Sequence, residues 1–422
     1  MVKKVKKAQE VEKAVEILKI KNFLSIKYMK WEVRQFNIIS GDMAAGKSLC
    51  IKIMNFFEDI IPNLLIAPYD HFIKNLEKDY LFNYLADKFA EIFYISPLEK
   101  NRPPFKINYT FSFGESKFDI TIKGSDIADV TVESASLESL LKEWLNYSKK
   151  RAINVPEKVT YDGFIEMKHY FYNNLQKKFD GCFPVKAAFI PASRAALTLS
   201  TDYTDYYLRK YNAFTDNLRL RKCKNQEAVE KILKANINIE DTIYLDSADG
   251  RRVPLAKASS GQQEIAYFLM HLDRLGNYSY TYSKSQSLFI EEPSAYLSPQ
   301  DEKQLIEFIV EIYNRQKNTE IPIRFFITTY SLYIINSLNN MLKKGDLIEN
   351  YNEQMDKINR RMKIPPLRAD DVSAYYINNK GEGKSILFKN QIQANEITKV
   401  SDTIKKNDME LSELNDELSR LP

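Results

Sequence analysis

The sequence predicts an α/β fold in which a mixed sheet is covered by helices, with a mainly helical insertion. Two observations support this prediction. From residue 242 onward, short apolar runs typical of strands alternate with longer helical patterns. Near the N-terminus, the apolar run 36–40 leads into a glycine-rich turn and then a helical pattern. The 422 residues, of which 44% are hydrophobic, are enough for two domains or for one large domain with an insertion.

Residues 1–60 are expected to form the N-terminal part of the sheet domain. The first 30 residues contain nine Lys and three Glu, a local excess of six positive charges. This excess indicates a solvated arm and helix, and contact with nucleic acid or an acidic partner is the alternative. Strand-like runs follow at 18–26, 31–34 and 36–40.

Residues 61–240 form the predicted lobe or helical insertion. Apolar spacing predicts helix over 58–94, and alternation around Gly114 predicts a hairpin over 105–130. Helical patterns return over 137–178 and 206–235 without a sustained heptad register, which favours a compact insertion over long coiled-coil arms. Aromatic residues at helical spacing fit either a protein interface or core packing. They are Tyr203, Tyr206, Tyr207, Tyr211 and Phe214.

Residues 241–390 are predicted to complete the sheet domain, and residues 391–422 to form a charged C-terminal helix. Further strands are expected at 187–190, 242–245, 287–290, 324–327 and 374–377, and helices are expected to open at Ser260, Pro299 and Leu332. The sequence Gly383-Lys384-Ser385 is read as a hairpin turn, because a β-like run follows it where a phosphate-binding loop needs a helix.

The composition excludes several classes of protein. Three cysteines without any C-x-x-C pair argue against a disulfide scaffold, and three histidines give little support to zinc hydrolases or His-centred triads. No run reaches the roughly 18 to 20 apolar residues of a membrane span, and no apolar segment follows the basic N-terminus. We therefore expect a cytoplasmic protein without a membrane partner.

The strongest local pattern is a G-x-x-x-x-G-K-[ST] sequence between a predicted strand and a predicted helix. The glycines allow a turn whose N–H groups point at a polyphosphate such as that of ATP, and the helix adds its positive N-terminal end. The lysine would bind the β- and γ-phosphates, and the serine hydroxyl would ligate Mg²⁺. The predicted ATP contacts here are Gly41, Asp42, Met43, Ala44, Ala45, Gly46, Lys47, Ser48 and Leu49.

Paired carboxylates end the apolar run 287–290. Glu291 is expected to hold Mg²⁺ together with Ser48, and Glu292 to orient or deprotonate an attacking water. Adjacent residues of a strand point to opposite faces, so the two carboxylates can serve different roles.

A third pattern opens the helix predicted at Ser260, about thirty residues before these carboxylates. Ser259, Ser260, Gly261 and Gln262 fit an ordinary helix N-cap. The functional alternative is that this helix end is offered to the γ-phosphate of ATP held by another subunit.

Taken in order, the three elements resemble the ATP-binding-cassette ATPases, and among them the SMC-like, RecF-like group with its OLD (overcoming lysogenization defect) and AAA_15-like members. The loop 41–48 resembles the Walker A motif, 258–262 the L-S-G-G-Q signature and 290–293 the E-E-P Walker B motif. The segment 294–297 falls at the D-loop and 326–331 at the switch strand. The resemblance implies an ABC-type head whose ATP and Mg²⁺ are sandwiched in a homodimer or higher homo-oligomer.

This sequence departs from the family pattern at two places. The switch histidine is replaced by Tyr330, which we assign as a second catalytic residue although it cannot supply a positive charge, so hydrolysis is expected to be slow. The signature is degenerate, since Ala258 stands for Leu and Ser260 for the first Gly.

The resemblance also suggests a role. OLD proteins carry a Toprim nuclease after the ATPase, whereas only 92 residues follow Tyr330 here, and the acidic pair Asp370-Asp371 lacks the rest of a metal-dependent nuclease site. We therefore expect the nuclease to be missing. Such a chain resembles the sensor ATPases of bacterial phage-defence systems such as PARIS, which implies a separate effector protein, a nuclease or toxin.

Three hypotheses remain open from the sequence. The first is an ATP-driven switch that controls an effector. The second is a DNA-binding SMC-like repair ATPase, although a net charge of +5 over 422 residues is modest for phosphate binding. The third, a transporter ATPase subunit, would need a membrane partner.

Overall fold

The computed structural model describes most of the 422 residues. These are 14–64, 78–93, 103–125, 129–150, 161–184, 187–192, 225–240, 242–274, 286–319 and 322–393. The lysine-rich residues 1–13, the five aromatic residues of 203–214 and almost all of the predicted C-terminal helix lie outside the described residues.

The described elements alternate along much of the chain. The strands are β1 (Val15–Phe23), β2 (Ile26–Val33), β3 (Phe36–Gly41), β4 (Phe105–Phe113), β5 (Ser116–Gly124), β6 (Thr131–Glu133), β7 (Ala187–Ile190), β8 (Asn236–Ile239), β9 (Ile243–Asp246), β10 (Arg252–Pro254), β11 (Gln286–Glu291), β12 (Ile323–Thr329), β13 (Val372–Ile377), β14 (Gly383–Ser385), β15 (Leu387–Phe388) and β16 (Gln391–Ile392). The helices are α1 (Lys47–Leu64), α2 (Lys78–Phe93), α3 (Ala135–Lys150), α4 (Tyr161–Lys178), α5 (Gln226–Leu233), α6 (Ser260–Arg274), α7 (Pro299–Gln316), α8 (Leu332–Asn350) and α9 (Met355–Arg361).

The chain divides into two compact units that are interleaved in sequence. Unit 1 comprises Met1–Phe23, Lys30–Val33 and Phe56–Val185. Unit 2 comprises Leu24–Met29, Arg34–Asn55 and Lys186–Pro422. Both β2 and α1 therefore cross from one unit to the other.

Unit 1 is built on antiparallel strands with an aromatic core. The sheet order is β2-β1-β4-β5-β6, and β4 pairs with β5 around the Gly114 turn, which confirms the predicted hairpin. The rings of Phe23 and Phe105 lie 5.0 Å apart and those of Phe89 and Phe93 lie 4.6 Å apart, so aromatic side chains fill this core. Alternating burial along β4 leaves one face of the sheet for packing.

Unit 2 contains a six-stranded sheet in the order β14-β13-β3-β12-β11-β7. The pairs β13·β3, β3·β12, β12·β11 and β11·β7 are parallel, and only the β13·β14 pair is antiparallel. Strands β3, β12 and β13 are buried along their whole length, as expected for parallel strands covered on both faces. The predicted α/β fold with a mixed, helix-covered sheet is confirmed.

The parallel order decides where the polar residues lie. Carboxyl ends of parallel strands meet at one edge of a sheet, and ligands bind outside that edge in open α/β folds. Here β3 ends at Gly41, β11 at Glu291 and β12 at Thr329. The fold therefore brings the loop after residue 41, the paired carboxylates and the segment after residue 329 to the same edge.

Several local predictions need correction. The run 18–26 is not one strand, because the chain turns at Leu24 (φ 48°) between β1 and β2. Strand β1 already begins at Val15, inside the region expected to be arm and helix. The region 58–94, predicted to be mainly helical, contains the end of α1 and the whole of α2, and residues 65–77 lie outside the described residues. Residues 391–392 form a strand paired with β15 instead of opening a helix.

One other expectation holds, and one further finding concerns the described helices. Gly383 lies in β14, which pairs with β13 around a turn at Gly381, so the second G-K-S sequence is a hairpin as predicted. Among the helices that the structure describes, each is too short or too polar for a membrane-spanning segment.

The close approach of β13 to Gly41 leads to a stability prediction. An added Cβ at Gly41 (φ 154°) would lie 2.3 Å from the carbonyl oxygen of Ile377, whereas Gly250 (φ 84°) has open space around it. We expect Gly41→Ala to cost about 2 kcal/mol or more, because steric overlap adds to backbone strain. Gly250→Ala should cost about 1 kcal/mol from backbone strain alone. The midpoints of thermal unfolding measure both, and equal shifts would contradict the packing described.

Candidate functional site

The loop Gly41–Ser48 follows β3 and leads directly into α1. Gly41 and Gly46 have backbone φ values of 154° and 106°, which residues other than glycine rarely adopt. A Cβ on Gly46 would lie 2.8 Å from side-chain atoms of both Ser25 and Ile26. The two glycines therefore allow a turn that is packed tightly on both sides and that points the N-terminal end of α1 toward the sheet edge.

The side chain of Lys47 folds back over this loop and is almost completely buried. Its Nζ donates hydrogen bonds to the carbonyl oxygens of Gly41 and Asp42, both at 2.9 Å. Burial lowers the pKa of Lys47 from its ordinary value, and the negative charges of Glu292 and Asp42 oppose that shift. The ammonium group is thus held inside the loop by oxygen atoms that a polyphosphate could replace.

Glu292 connects Lys47 with the strand end of β12. Its Oε1 is 3.9 Å from Lys47 Nζ, and its Oε2 accepts a hydrogen bond of 3.3 Å from the backbone N–H of Tyr330. Its own N–H donates to the carbonyl and the hydroxyl oxygens of Thr328, at 3.1 and 3.2 Å. The residue has φ 41°, a strained conformation that these contacts maintain. One carboxylate therefore contacts both the loop lysine and the segment after β12.

Glu291 lies on the buried side of the same turn. Its Oε1 is 3.7 Å from Lys52 Nζ, and its Oε2 accepts a hydrogen bond of 3.3 Å from the N–H of Ala192. The half-buried Ser48 lies in the first turn of α1, one turn before Lys52. A serine hydroxyl and a carboxylate are oxygen donors of the kind that Mg²⁺ prefers, so the chemistry of the predicted ligand pair fits this ion. The strained turn at Glu292, and not strand alternation alone, separates the two carboxylates.

The remaining residues of the loop differ in exposure. The Asp42 carboxylate accepts a hydrogen bond of 2.9 Å from the Tyr376 hydroxyl, which ties the loop to β13. Met43 is 94% exposed and Ala44 is also exposed, whereas Ala45 is buried. Leu49 is half-buried in the first turn of α1.

The Ser259 turn is organised around its own hydrogen bonds. The N–H of Gln262 donates to Ser259 Oγ, and the Gln262 side-chain oxygen accepts from the Ser259 hydroxyl and N–H, so Ser259 caps α6 as a capping box. Ser259 and Ser260 are exposed, and Gly261 lies against Tyr296. In the described part of the chain, none of the hydrogen bonds of this turn reaches the Gly41–Ser48 loop.

The structure therefore brings together one group of the predicted residues and leaves the other apart. Glu292 contacts both Lys47 and the backbone of Tyr330, while residues 259–262 form a separate helix end. Sequence reasoning missed three residues that position the site, namely Lys52, Thr328 and Tyr376. Of these, only Lys52 could have been predicted from the sequence, because a residue four positions after Ser48 lies on the same face of the predicted helix.

A protein-family model matches the sequence of this chain. The model of AAA_15, described as an AAA ATPase domain, matches residues 116–335, which is more than half of the chain. The chain belongs to the AAA_15 family. The matched span includes the Ser259 turn, Glu291, Glu292 and Tyr330 of this AAA ATPase domain, and it begins after the Gly41–Ser48 loop. No curated protein matches the sequence.

Solved structures show a general likeness to this AAA_15 chain. The SMC head bound to the C-winged helix domain of ScpA has a TM-score of 0.40 at 13% identity, covering 88% of this chain and 96% of that one. The SMC head domain from Thermotoga maritima scores 0.36 at 11% identity, covering 76% and 91%. The recombination mediator RecF with ATPrS scores 0.34 at 12% identity, covering 88% and 98%.

The buried lysine predicts a pH dependence of nucleotide binding. Burial holds the Lys47 pKa below its ordinary 10.5, whereas a bound polyphosphate would raise it. In the alkaline range between those two pKa values, binding of ADP should take up a proton, and affinity should fall as pH rises.

Calorimetry in two buffers of different ionisation enthalpy, between about pH 7 and about pH 10, measures this proton uptake. Lys47→Arg should remove the pH dependence, because a guanidinium stays charged throughout this range. If the wild type and Lys47→Arg took up the same number of protons on binding ADP, Lys47 would not be the group that binds the phosphates.

Proposed function

We propose that this AAA ATPase domain protein binds ATP with Mg²⁺, hydrolyses it slowly and acts as an ATP-dependent switch that assembles head to head. The observation that carries this proposal is the position of Glu292, whose carboxylate lies between Lys47 of the glycine loop and the backbone of Tyr330. A carboxylate held beside the phosphate-binding lysine is the group expected to orient or deprotonate an attacking water.

The residues of the loop supply the binding step. Lys47 would exchange its two carbonyl partners for phosphate oxygens, and the N-terminal end of α1 would face the same anion. Ser48 and Glu291 would hold Mg²⁺, which when bound neutralises charge that develops on the phosphates. Lys52 holds the Glu291 carboxylate in place from one turn along α1.

Assembly of two copies is supported by what surrounds the site. The Ser259 turn presents a helix end at which Ser259 and Ser260 are exposed, and such an end is suited to an anion. Large apolar side chains are exposed on the elements around the site, with Met43 at 94%, Tyr296 at 73% and Tyr330 at 62% exposure. Such side chains are typical of a surface that a partner covers. A second copy would cover them and bring its Ser259 turn to the γ-phosphate.

The biological role that we propose is control of a separate effector protein, a nuclease or toxin, in anti-phage defence. It is supported by the sequence resemblance to stand-alone sensor ATPases of phage-defence systems. A stoichiometric partner that is retained in one nucleotide state and released in the other would support this role. Turnover that requires DNA and falls steeply with salt would favour an SMC-like repair ATPase instead.

Replacing the proposed base tests assembly and hydrolysis together. Glu292→Gln should lower turnover by about 10²-fold or more, because the amide cannot accept the proton, while ATP binding is retained. Light scattering with ATP and Mg²⁺ should then show a doubled mass for this variant, but an unchanged mass for Lys47→Ala, which cannot hold the phosphates.

The exposed Glu349→Gln on α8 is the matched control for loss of a carboxylate charge and should behave as the wild type. A Glu292→Gln protein that hydrolyses ATP at the wild-type rate would show that another residue is the base. A single-copy mass with ATP bound would contradict assembly.

The tyrosine at the switch position predicts slow turnover. Tyr330→His should raise turnover about tenfold or more, because a protonated imidazole can donate a charged hydrogen bond to the γ-phosphate. Tyr330→Phe separates the role of the phenol hydroxyl from that of the ring. Steady-state phosphate release measures all three proteins, and equal rates would mean that the residue 330 side chain takes no part in hydrolysis.

A further inference from the structure

The segment after β12 is held from a second side by an acidic residue of α7. Ser331 follows Tyr330 directly, and its hydroxyl donates a hydrogen bond to the Oε2 atom of Glu302. The Ser331 hydroxyl oxygen also accepts a hydrogen bond from the N–H of Ile334 and so caps α8. Ser331 is buried, and one hydroxyl therefore joins the start of α8 to the first turn of α7.

The backbone at Tyr330 is therefore held by two carboxylates, by Glu292 directly and by Glu302 through Ser331. Its N–H donates to Glu292, and the N–H of the next residue donates to Thr329 Oγ1 at 3.0 Å while that residue's hydroxyl bonds to Glu302. The chain at 329–331 thus has hydrogen-bonded partners in the turn after β11 and on α7. A shift of Glu302 would move the peptide that orients the Glu292 carboxylate.

Glu302 is also connected through the chain to the turn that contacts the Ser259 helix end. Helix α7 begins at Pro299 behind the N-cap Ser298, whose carbonyl accepts from the Glu302 N–H at 2.9 Å. Two residues earlier, the main-chain oxygen of Tyr296 lies 3.5 Å from the position of an added Cβ on Gly261. The first turn of α7 is therefore continuous with the turn that contacts the Ser259 helix end.

We propose that Glu302 is a positioning residue for hydrolysis: through Ser331 it holds Tyr330 against Glu292. The proposal rests on the proposed function. Glu302 contacts neither Lys47 nor the Gly41–Ser48 loop in the described contacts, so its effect falls on turnover and not on nucleotide affinity. Partial burial raises the Glu302 pKa, and the hydrogen bond from Ser331 opposes that shift.

Variants on both sides of the hydrogen bond test the proposal. Glu302→Ala should lower kcat about tenfold with ATP affinity within about twofold of the wild type, since a displaced group loses orientation. Glu302→Gln keeps an oxygen acceptor for the Ser331 hydroxyl and should restore most of the rate. Ser331→Ala should match Glu302→Ala, Ser331→Thr should match the wild type, and the double alanine variant should show no further loss.

Glu311→Ala, an exposed residue later on α7, is the matched control and should not change kcat. Hydrogen exchange of a peptide spanning residues 328–334 gives a readout that does not need hydrolysis, and it should be faster in Glu302→Ala but not in Glu302→Gln. If Glu302→Ala does not fold, the comparison of Ser331→Ala with Ser331→Thr tests the same bond.

The outcomes separate the two proposals. A wild-type protein that binds no ATP contradicts the proposed function, whatever the variants do. A wild type that hydrolyses ATP, together with Glu302→Ala at an equal kcat or with equal losses in Glu302→Ala and Glu302→Gln, overturns only the positioning role.

Discussion

The Lys47 residue is buried, and a buried cation is stable only when oxygen atoms surround it. The two carbonyl oxygens of the loop and the Glu292 carboxylate meet that requirement. Each of them imposes a further demand. The carbonyls point inward only if the loop turns at Gly41, and the carboxylate faces inward only if Glu292 accepts a positive φ. The geometry of the site follows from stabilising one charge.

The same reasoning applies to the neighbouring pair. Lys52 and Glu291 approach to 3.7 Å with Glu291 buried, so two cations on α1 face two carboxylates on one turn. Removing one member of a buried pair leaves an uncompensated charge, which usually costs more than the pair contributes. Substitutions that keep the shape and the hydrogen bonds, such as Glu to Gln, therefore report on chemistry more cleanly than truncations at these positions.

Local patterns in the sequence predict much of this arrangement but not all of it. The loop from Gly41 to Ser48 is visible because strand, glycines and lysine are contiguous, and β3 and β12 are visible as short, mainly apolar runs. The turn at Leu24 has no such signal, since the apolar pattern continues through it. Contacts such as Ser331 to Glu302, or Asp42 to Tyr376, join residues far apart in sequence and depend on how strands and helices pack. Propensity and periodicity do not encode that packing.

The strand order has a consequence for synthesis of the chain on the ribosome. Strand β3 emerges early, yet both of its neighbours, β12 and β13, lie near the other end of the described sequence. Contacts of such long sequence separation form slowly, and here they cannot form before the later strands have been made. Until Ile377 has left the ribosome, the loop after β3 lacks the β13 backbone against which Gly41 packs. A nascent chain therefore completes the packing of the Gly41–Ser48 loop only after the strands up to Ile377 have been translated.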